Sequence, residues 1–314
     1  MSPTLFAIAL VFGILLSAAL VIWVERRLLA VFQERYGPNR VGPLGLVQVV
    51  ADIVKILTKE NWVPPFADKP VFIIAPMIIM VTVLASFGVI PLGPGVVASD
   101  LNVGLLFFLG MSSLAVYSVA LAGWASNSKF ALLGGMRAVG QMVSYEVFMG
   151  ISLLGVVLQT GSFSLVDIIE AQRGLWFCVP QFVGFVVFFI AGLAETRRIP
   201  FDIPEAESEL TAGYHTEYSG FKFAMFYLGE YVGVTLISAM VVVLFFGGWL
   251  GPWLPPFVWF ALKTLFFVAV FILIRGSLPR PRYDQLIGFG WKLMFPLALA
   301  NLVATGGIVL ALGR

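Results

Sequence analysis

Two glutamates stand where a lipid-bound sequence is expected to carry none. Glu146 lies ten residues or so into an apolar run that begins near residue 137, and Glu230 is similarly placed in a later run. At about 1.5 Å per helical residue that is roughly 15 Å of depth. A charge at the bilayer centre costs on the order of 3 kcal/mol. Such a carboxylate therefore faces a protein interior or a wet cavity, either protonated or paired. Buried carboxyls in general hold protons more tightly than exposed ones, which brings proton exchange toward neutral pH. The plainer alternative is a protonated glutamate making one interhelical hydrogen bond.

A second constellation is compact and acidic. It reads Glu195-Thr196-Arg197-Arg198-Ile199-Pro200-Phe201-Asp202-Ile203-Pro204-Glu205-Ala206-Glu207-Ser208-Glu209 and runs on to His215-Thr216-Glu217-Tyr218. Glu205 and Glu209 are one helical turn apart with Glu207 between them. Like charges so close repel, so some hold protons or are drawn to Arg197, Arg198 or a neighbouring span. Ile199, Phe201, Ile203, Leu210 and Tyr214 interleave the acids, which points to a loop folded against the membrane and not to a solvated acidic face. Pro200 and Pro204 interrupt any helix running into the segment. Pro204 can open a short helix whose first turn favours Glu205 and its acidic neighbours.

Other charged and aromatic residues leave two readings open. Glu25-Arg26-Arg27 and Arg35 are either interfacial anchors or part of a site. His215 alone is more often a hydrogen-bonded loop residue than a catalyst. Phe221, Phe223, Phe226, Tyr227 and Trp291 fit lipid packing or a quinone-sized apolar groove equally well. No HExxH, GxGxxG, Gly-Lys-Ser/Thr phosphate loop or nucleophile elbow is present, which argues against independent bond-cleaving catalysis. Cys178 and His215 are the sole residues of their kinds. An iron–sulfur cluster or structural zinc needs about four such ligands, so any electrons moving nearby are carried by a partner.

The elements that hold these residues are dictated by composition. Of 314 residues, 60% are hydrophobic and 11% charged, against about a quarter charged in soluble domains. Lipid must be the solvent for most of the chain. Runs of about 20 apolar residues occur near 4–24, 71–92, 102–125, 137–159, 176–195, 223–247, 257–277 and 291–312. This predicts an all-α integral membrane protein with about eight transmembrane helices in a single domain over 1–314. The first run lacks the basic flank of a cleaved signal and is read as a retained span. With eight spans, one side collects Arg26, Arg27, Arg35, Arg40, Lys55, Lys59, Lys69, Lys129, Arg137, Arg197, Arg198, Lys222, Arg275, Arg280, Arg282 and Lys292. The other side has only Arg173 and Arg314, and Lys263 falls within a span. The positive-inside rule makes the rich side cytoplasmic and puts both termini outside. In the first cytoplasmic loop, Gly37-Pro38-Asn39-Arg40-Val41-Gly42-Pro43 is turn chemistry. A short amphipathic surface helix follows, with Leu46, Val49, Val50, Ile53 and Leu57 on one face and Gln48, Asp52, Lys55 and Lys59 on the other. The acidic segment becomes a structured loop between spans five and six.

Seven separated motifs, in order along nearly the whole chain, carry a resemblance. They are Val24-Glu25-Arg26-Arg27; the Gly37–Pro43 turn; Ala51-Asp52-Ile53-Val54-Lys55 with Thr58-Lys59-Glu60; Ser144-Tyr145-Glu146; Ala194-Glu195-Thr196-Arg197-Arg198-Ile199-Pro200-Phe201-Asp202; Glu205-Ala206-Glu207-Ser208-Glu209-Leu210 with Glu217-Tyr218; and Arg280-Pro281-Arg282-Tyr283-Asp284-Gln285. Together they resemble the H-subunit family of respiratory NADH:quinone oxidoreductase (complex I), counterpart of mitochondrial subunit 1. The resemblance implies a bacterial inner-membrane subunit that joins the membrane arm to the peripheral redox arm and forms the mouth and wall of a quinone tunnel. Quinone is then the substrate, this chain binds no cofactor alone, and flavin and iron–sulfur clusters sit in partner subunits. Neighbouring membrane-arm subunits and lipid complete the partners; nucleic acid is not among them. It further implies that Asp202, Glu205, Glu207, Glu209 and Glu217 link the tunnel to buried carboxylates including Glu146 and Glu195. Glu25, Arg26, Arg35, Asp52, Lys55 and Glu60 match positions near the tunnel and the partner interface, with Arg197 and Arg198 beside them.

Three rivals remain at this level. A homologous proton-pumping hydrogenase would use the same helices as a membrane anchor. A stand-alone cation/proton transporter would act from this chain alone. A structural scaffold would need the loop acids for assembly only.

Overall fold

The computed structural model describes residues 3–205 and 207–312; the side chains of Pro3, Glu207 and Ser208 fall outside that description. Helix dominates because a backbone in lipid must satisfy its own N–H and C=O groups. The helices are α1 (Pro3–Phe32), α2 (Gln48–Thr58), α3 (Lys69–Phe87), α4 (Gly104–Ala125), α5 (Lys129–Thr160), α6 (Leu165–Ala171), α7 (Phe182–Glu195), α8 (Glu207–Leu210), α9 (Gly220–Phe245), α10 (Pro256–Ser277), α11 (Tyr283–Phe289) and α12 (Phe295–Ala311). A π-helical turn, Gly290–Met294, joins the last two. Among the described residues, seven helical stretches are long and apolar enough to cross a membrane.

The expected fifth span, 176–195, is shorter than the sequence suggests. Only 14 residues of it are helical, about 21 Å of rise against roughly 30 Å of hydrocarbon. Pro180 explains the late start, since its ring clashes with the carbonyl one turn back. Residues 177–181 instead form turns, tied down by the Cys178 N–H donating to the Phe245 carbonyl at 2.8 Å. The fourth span differs in the other direction. α5 starts at Lys129, eight residues before the expected edge, so Glu146 sits near the middle of a 32-residue helix.

α9 is the central element. It packs against α1, α2, α3, α7 and α10, and most of its residues are buried. α5 holds the other half together through α4, α7 and α12. By contrast α1 and α12 turn large apolar side chains outward, among them Ile8, Phe12, Val303 and Leu310. Lys263, inside α10, is accommodated by carbonyl oxygens: its ammonium donates to those of Phe246, Gly248 and Leu250 at 2.7, 3.2 and 2.6 Å. A positive group at the carbonyl end of α9 also complements that helix's dipole. α2 is the surface helix, starting at Gln48, after Leu46. Val49, Ile53, Ile56 and Leu57 line a groove against α1 and α9, while Val50 and Val54 are exposed away from it.

Candidate functional site

The acidic loop is shaped by local chemistry before any charge acts. α7 ends at Glu195, and Arg197 takes a positive φ of 53° that turns the chain back. Further on, Gly213 adopts φ +59° against the Pro204 carbonyl, where a side chain would collide with backbone. That turn drives Tyr214 fully into the core, edge-on to Phe226 with ring centroids 5.4 Å apart.

Around Tyr214 the acids and bases meet. Its hydroxyl lies 3.1 Å from Glu205 Oε1 and 3.3 Å from Glu230 Oε1. A phenol has one proton and free lone pairs, so it donates to one carboxylate and accepts from the other when that one is protonated. Arg197, almost fully buried, sits over the Tyr214 ring at 5.0 Å and brings Nη2 to 3.8 Å from Glu230 Oε1. A cavity of about 420 Å³ lies on the loop side, lined by Arg198, Asp202, Glu205, His215, Arg275 and Arg280 as well as Arg197 and Glu230. A smaller cavity of about 50 Å³ is lined by Thr82, Ser86, Ser112, Glu195 and, again, Arg197 and Glu230. It exceeds the volume one water needs, and the rest of its wall is apolar, with Ile79, Val83, Phe108, Met142, Leu236 and Ile237. Ser112 then reaches Glu146 Oε1 at 3.4 Å, and Ser113 also hydrogen-bonds that oxygen. The Arg197–Glu230 pair thus forms a wall common to both cavities.

The loop groups titrate in opposite senses. Burial pushes the Asp202 carboxyl up to about 6, with Arg280, 2.8 Å away, opposing it. Burial pushes His215 down to about 4 despite the nearby Glu230. His215 is therefore neutral at pH 7, and its 3.7 Å approach to Glu205 is a dipolar contact. Burial also raises the Tyr214 hydroxyl well above its ordinary value, so it stays protonated.

Glu25 is buried in the C-terminal part of α1, where Arg275 pairs with it directly and Arg198 approaches at 3.7 Å. Tyr231 donates to it at 3.3 Å, and Tyr227 and Tyr231 are 3.0 Å apart. Arg26 and Asp52 pair at 2.5 Å, tying α1 to α2. They and Tyr227 line an apolar groove of about 100 Å³ between α1, α2 and α9. Tyr227 lines both this groove and the large charged cavity. Lys55 faces an adjoining recess with Arg26 and Asp52.

Other predicted residues lie apart. Arg35 is exposed and binds Gln33 at 2.8 Å. Glu60 is exposed, its backbone carbonyl accepting from Ser219 at 3.3 Å. Glu209 pairs with Arg137 at 2.5 Å on an exposed surface. Glu217 is half-buried and lines neither cavity. The Glu207 side chain lies outside the described residues. Among the described residues no group of three or more His, Cys, Asp or Glu is placed to hold a metal ion.

Residues 5–306 match the family model described as NADH dehydrogenase. A curated relative, the H subunit of NADH-quinone oxidoreductase from Methylococcus capsulatus, is 62% identical over 308 residues, covering 96% of this chain and 98% of the relative. The chain belongs to the NADH dehydrogenase family. For this NADH dehydrogenase family member, the residues that sequence reasoning missed are mostly neutral. Tyr231, Ser112 and Ser113 lie within long apolar helices and carry no charge to mark them, and Tyr214 was read only as an apolar neighbour of the loop acids. Arg275 was legible only as one of the charges on the basic side, and Arg280 as such a charge and the start of a motif, neither as a partner of a buried acid. A polar residue sharing a helix with Glu146, or a serine pair within a span, was the available signal.

Proposed function

We propose that this chain is the H subunit in the membrane arm of a bacterial inner-membrane NADH-quinone oxidoreductase, and that it couples quinone reduction to proton translocation. In this reading the apolar groove between α1, α2 and α9 admits the quinone. Tyr227 and Tyr231 lead from it to Glu25, Arg198 and Arg275. A change of charge on reduction is felt by Asp202, Glu205 and His215 around the large cavity. The proton then passes by Tyr214 to Glu230, through water in the small cavity to Glu195 and Ser112, and on to Glu146. Glu209 and Arg137 serve the loop's placement. Arg35, Lys55 and Glu60, on the exposed cytoplasmic side, serve contact with the redox subunits, which hold the flavin and iron–sulfur clusters. Both termini are periplasmic.

The observation that carries this is the shared wall: one buried acid, Glu230, and one buried base, Arg197, divide a charged loop-side cavity from a largely apolar one that holds Glu195, Ser112, Thr82 and Ser86. A scaffold would need no such cavities at membrane depth. The test is purification in mild detergent, followed by assay in liposomes. We expect cluster-bearing subunits to co-purify with NADH-dependent, inhibitor-sensitive quinone reduction, and the isolated chain to move no protons. Transport by the chain alone would favour the transporter reading. A complex that evolves hydrogen and ignores quinone would favour the hydrogenase reading.

A further inference from the structure

Gln141 occupies an unusual place for an amide. It lies on α5, is fully buried, and belongs to no carboxylate cluster. Its Nε2 donates to two backbone carbonyls, Ala194 at 2.7 Å and Phe201 at 2.8 Å. Those carbonyls stand at the two ends of the segment 195–201, which carries Glu195, Arg197 and Arg198. Both amide protons are therefore used to hold the two ends of one loop at one point.

Two other buried glutamines provide a comparison. Gln172 donates to the Ile168 and Val243 carbonyls and accepts from the Phe177 and Gly247 N–H groups, so all its capacity is used. Gln181 donates to Thr305 and accepts from Asn301. Gln141 alone of the three has a buried carbonyl oxygen with no hydrogen-bond partner among the described residues. An orphaned buried oxygen is costly where an apolar side chain of similar length would carry no such penalty. The return is confined to the donor side, where the two N–H groups of one neutral amide reach both carbonyls.

We propose that Gln141 is a positioning residue: it clasps 195–201 into a closed loop and so keeps Glu195 and Arg197 at the small cavity. This rests on the coupling role proposed above for that cavity. The segment's other backbone bonds are local turns, such as those from the Arg197 N–H to Ala194 at 3.3 Å and from the Phe201 N–H to Arg198 at 2.7 Å, and Pro200 supplies no backbone donor; Gln141 is the bridge between its two ends.

The test uses the whole complex carrying Gln141→Met, which keeps volume and removes both donors. Amide hydrogen exchange over 195–203 and coupled quinone reduction are measured beside NADH oxidation by an artificial acceptor. We expect exchange of the segment to quicken at least tenfold and coupled turnover to fall at least threefold, with the artificial reaction unchanged. Faster exchange with full coupled turnover would uphold the clasp and sink the proton route instead. Unchanged exchange would overturn the proposal. If that variant does not assemble, Gln141→Glu serves. A neutral glutamic acid donates once and its anion not at all, so exchange over 195–203 should rise with pH; a pH dependence identical to wild type would equally overturn it.

Discussion

Asp202 and His215 line the same cavity with opposite proton preferences, and the sign of each matters. Asp202 is raised from 3.8 to about 6 by burial. Its contribution to loop stability is full below 3.8 and is lost as pH rises through 6, where the anion must be kept buried. His215 is lowered from 6.5 to about 4. Its contribution is full above 6.5 and is lost as pH falls through 4. The two slopes oppose each other between about 4 and 6, leaving stability of the loop nearly flat there. Function need not be flat. Protonating Asp202 weakens its hold on Arg280, with Arg198 and Glu230 the other charges facing it. Quinone reduction by the complex should therefore show an acid inflection near pH 6. Asp202→Asn should remove that inflection and depress the rate at pH 7.5 about three- to tenfold. An inflection that survives in the variant would assign it elsewhere. At this scale the acids were legible because charge at membrane depth is rare. The hydroxyls between them were not, because a serine or tyrosine costs little to bury once it is hydrogen-bonded.

Among elements, α5 does most to set the loop. It carries Glu146, clasps 195–201 through Gln141, and lets the 213–215 turn approach its backbone at Gly134. A β-carbon there would stand 2.6 Å from Gly213 Cα and 2.7 Å from the Tyr214 nitrogen. Gly134→Ala should displace Tyr214 at a cost of about 1–3 kcal/mol and lower coupled quinone reduction several-fold. Gly150→Ala, on the same helix where nothing lies within 4 Å, should be neutral. Equal activity in both variants would show that the loop does not lean on α5. Helix existence was readable from apolar runs, whereas helix length was not. α5 begins early because Lys129 and Arg137 can lie at or beyond the interface, and α7 begins late because of Pro180. The two-sided use of α2, half against the groove and half exposed, follows from packing that periodicity alone cannot rank.

For the whole molecule, α9 is where the parts meet. Its N-terminal half supplies Phe223 and Tyr227 to the charged cavity, Tyr231 to Glu25, and Glu230 to the wall between the cavities. Sidedness of charge was plain in the sequence, but the meeting of 25, 198, 231 and 275 was not, since it joins residues some 250 positions apart only after packing. The most direct measurement is proton translocation by the assembled complex bearing Glu230→Gln, reconstituted in liposomes with quinone. Pumping and coupled quinone reduction should fall together at least fivefold, while NADH oxidation by an artificial acceptor stays at the wild-type rate. Wild-type pumping in that variant would mean that protons do not pass the Arg197–Glu230 wall.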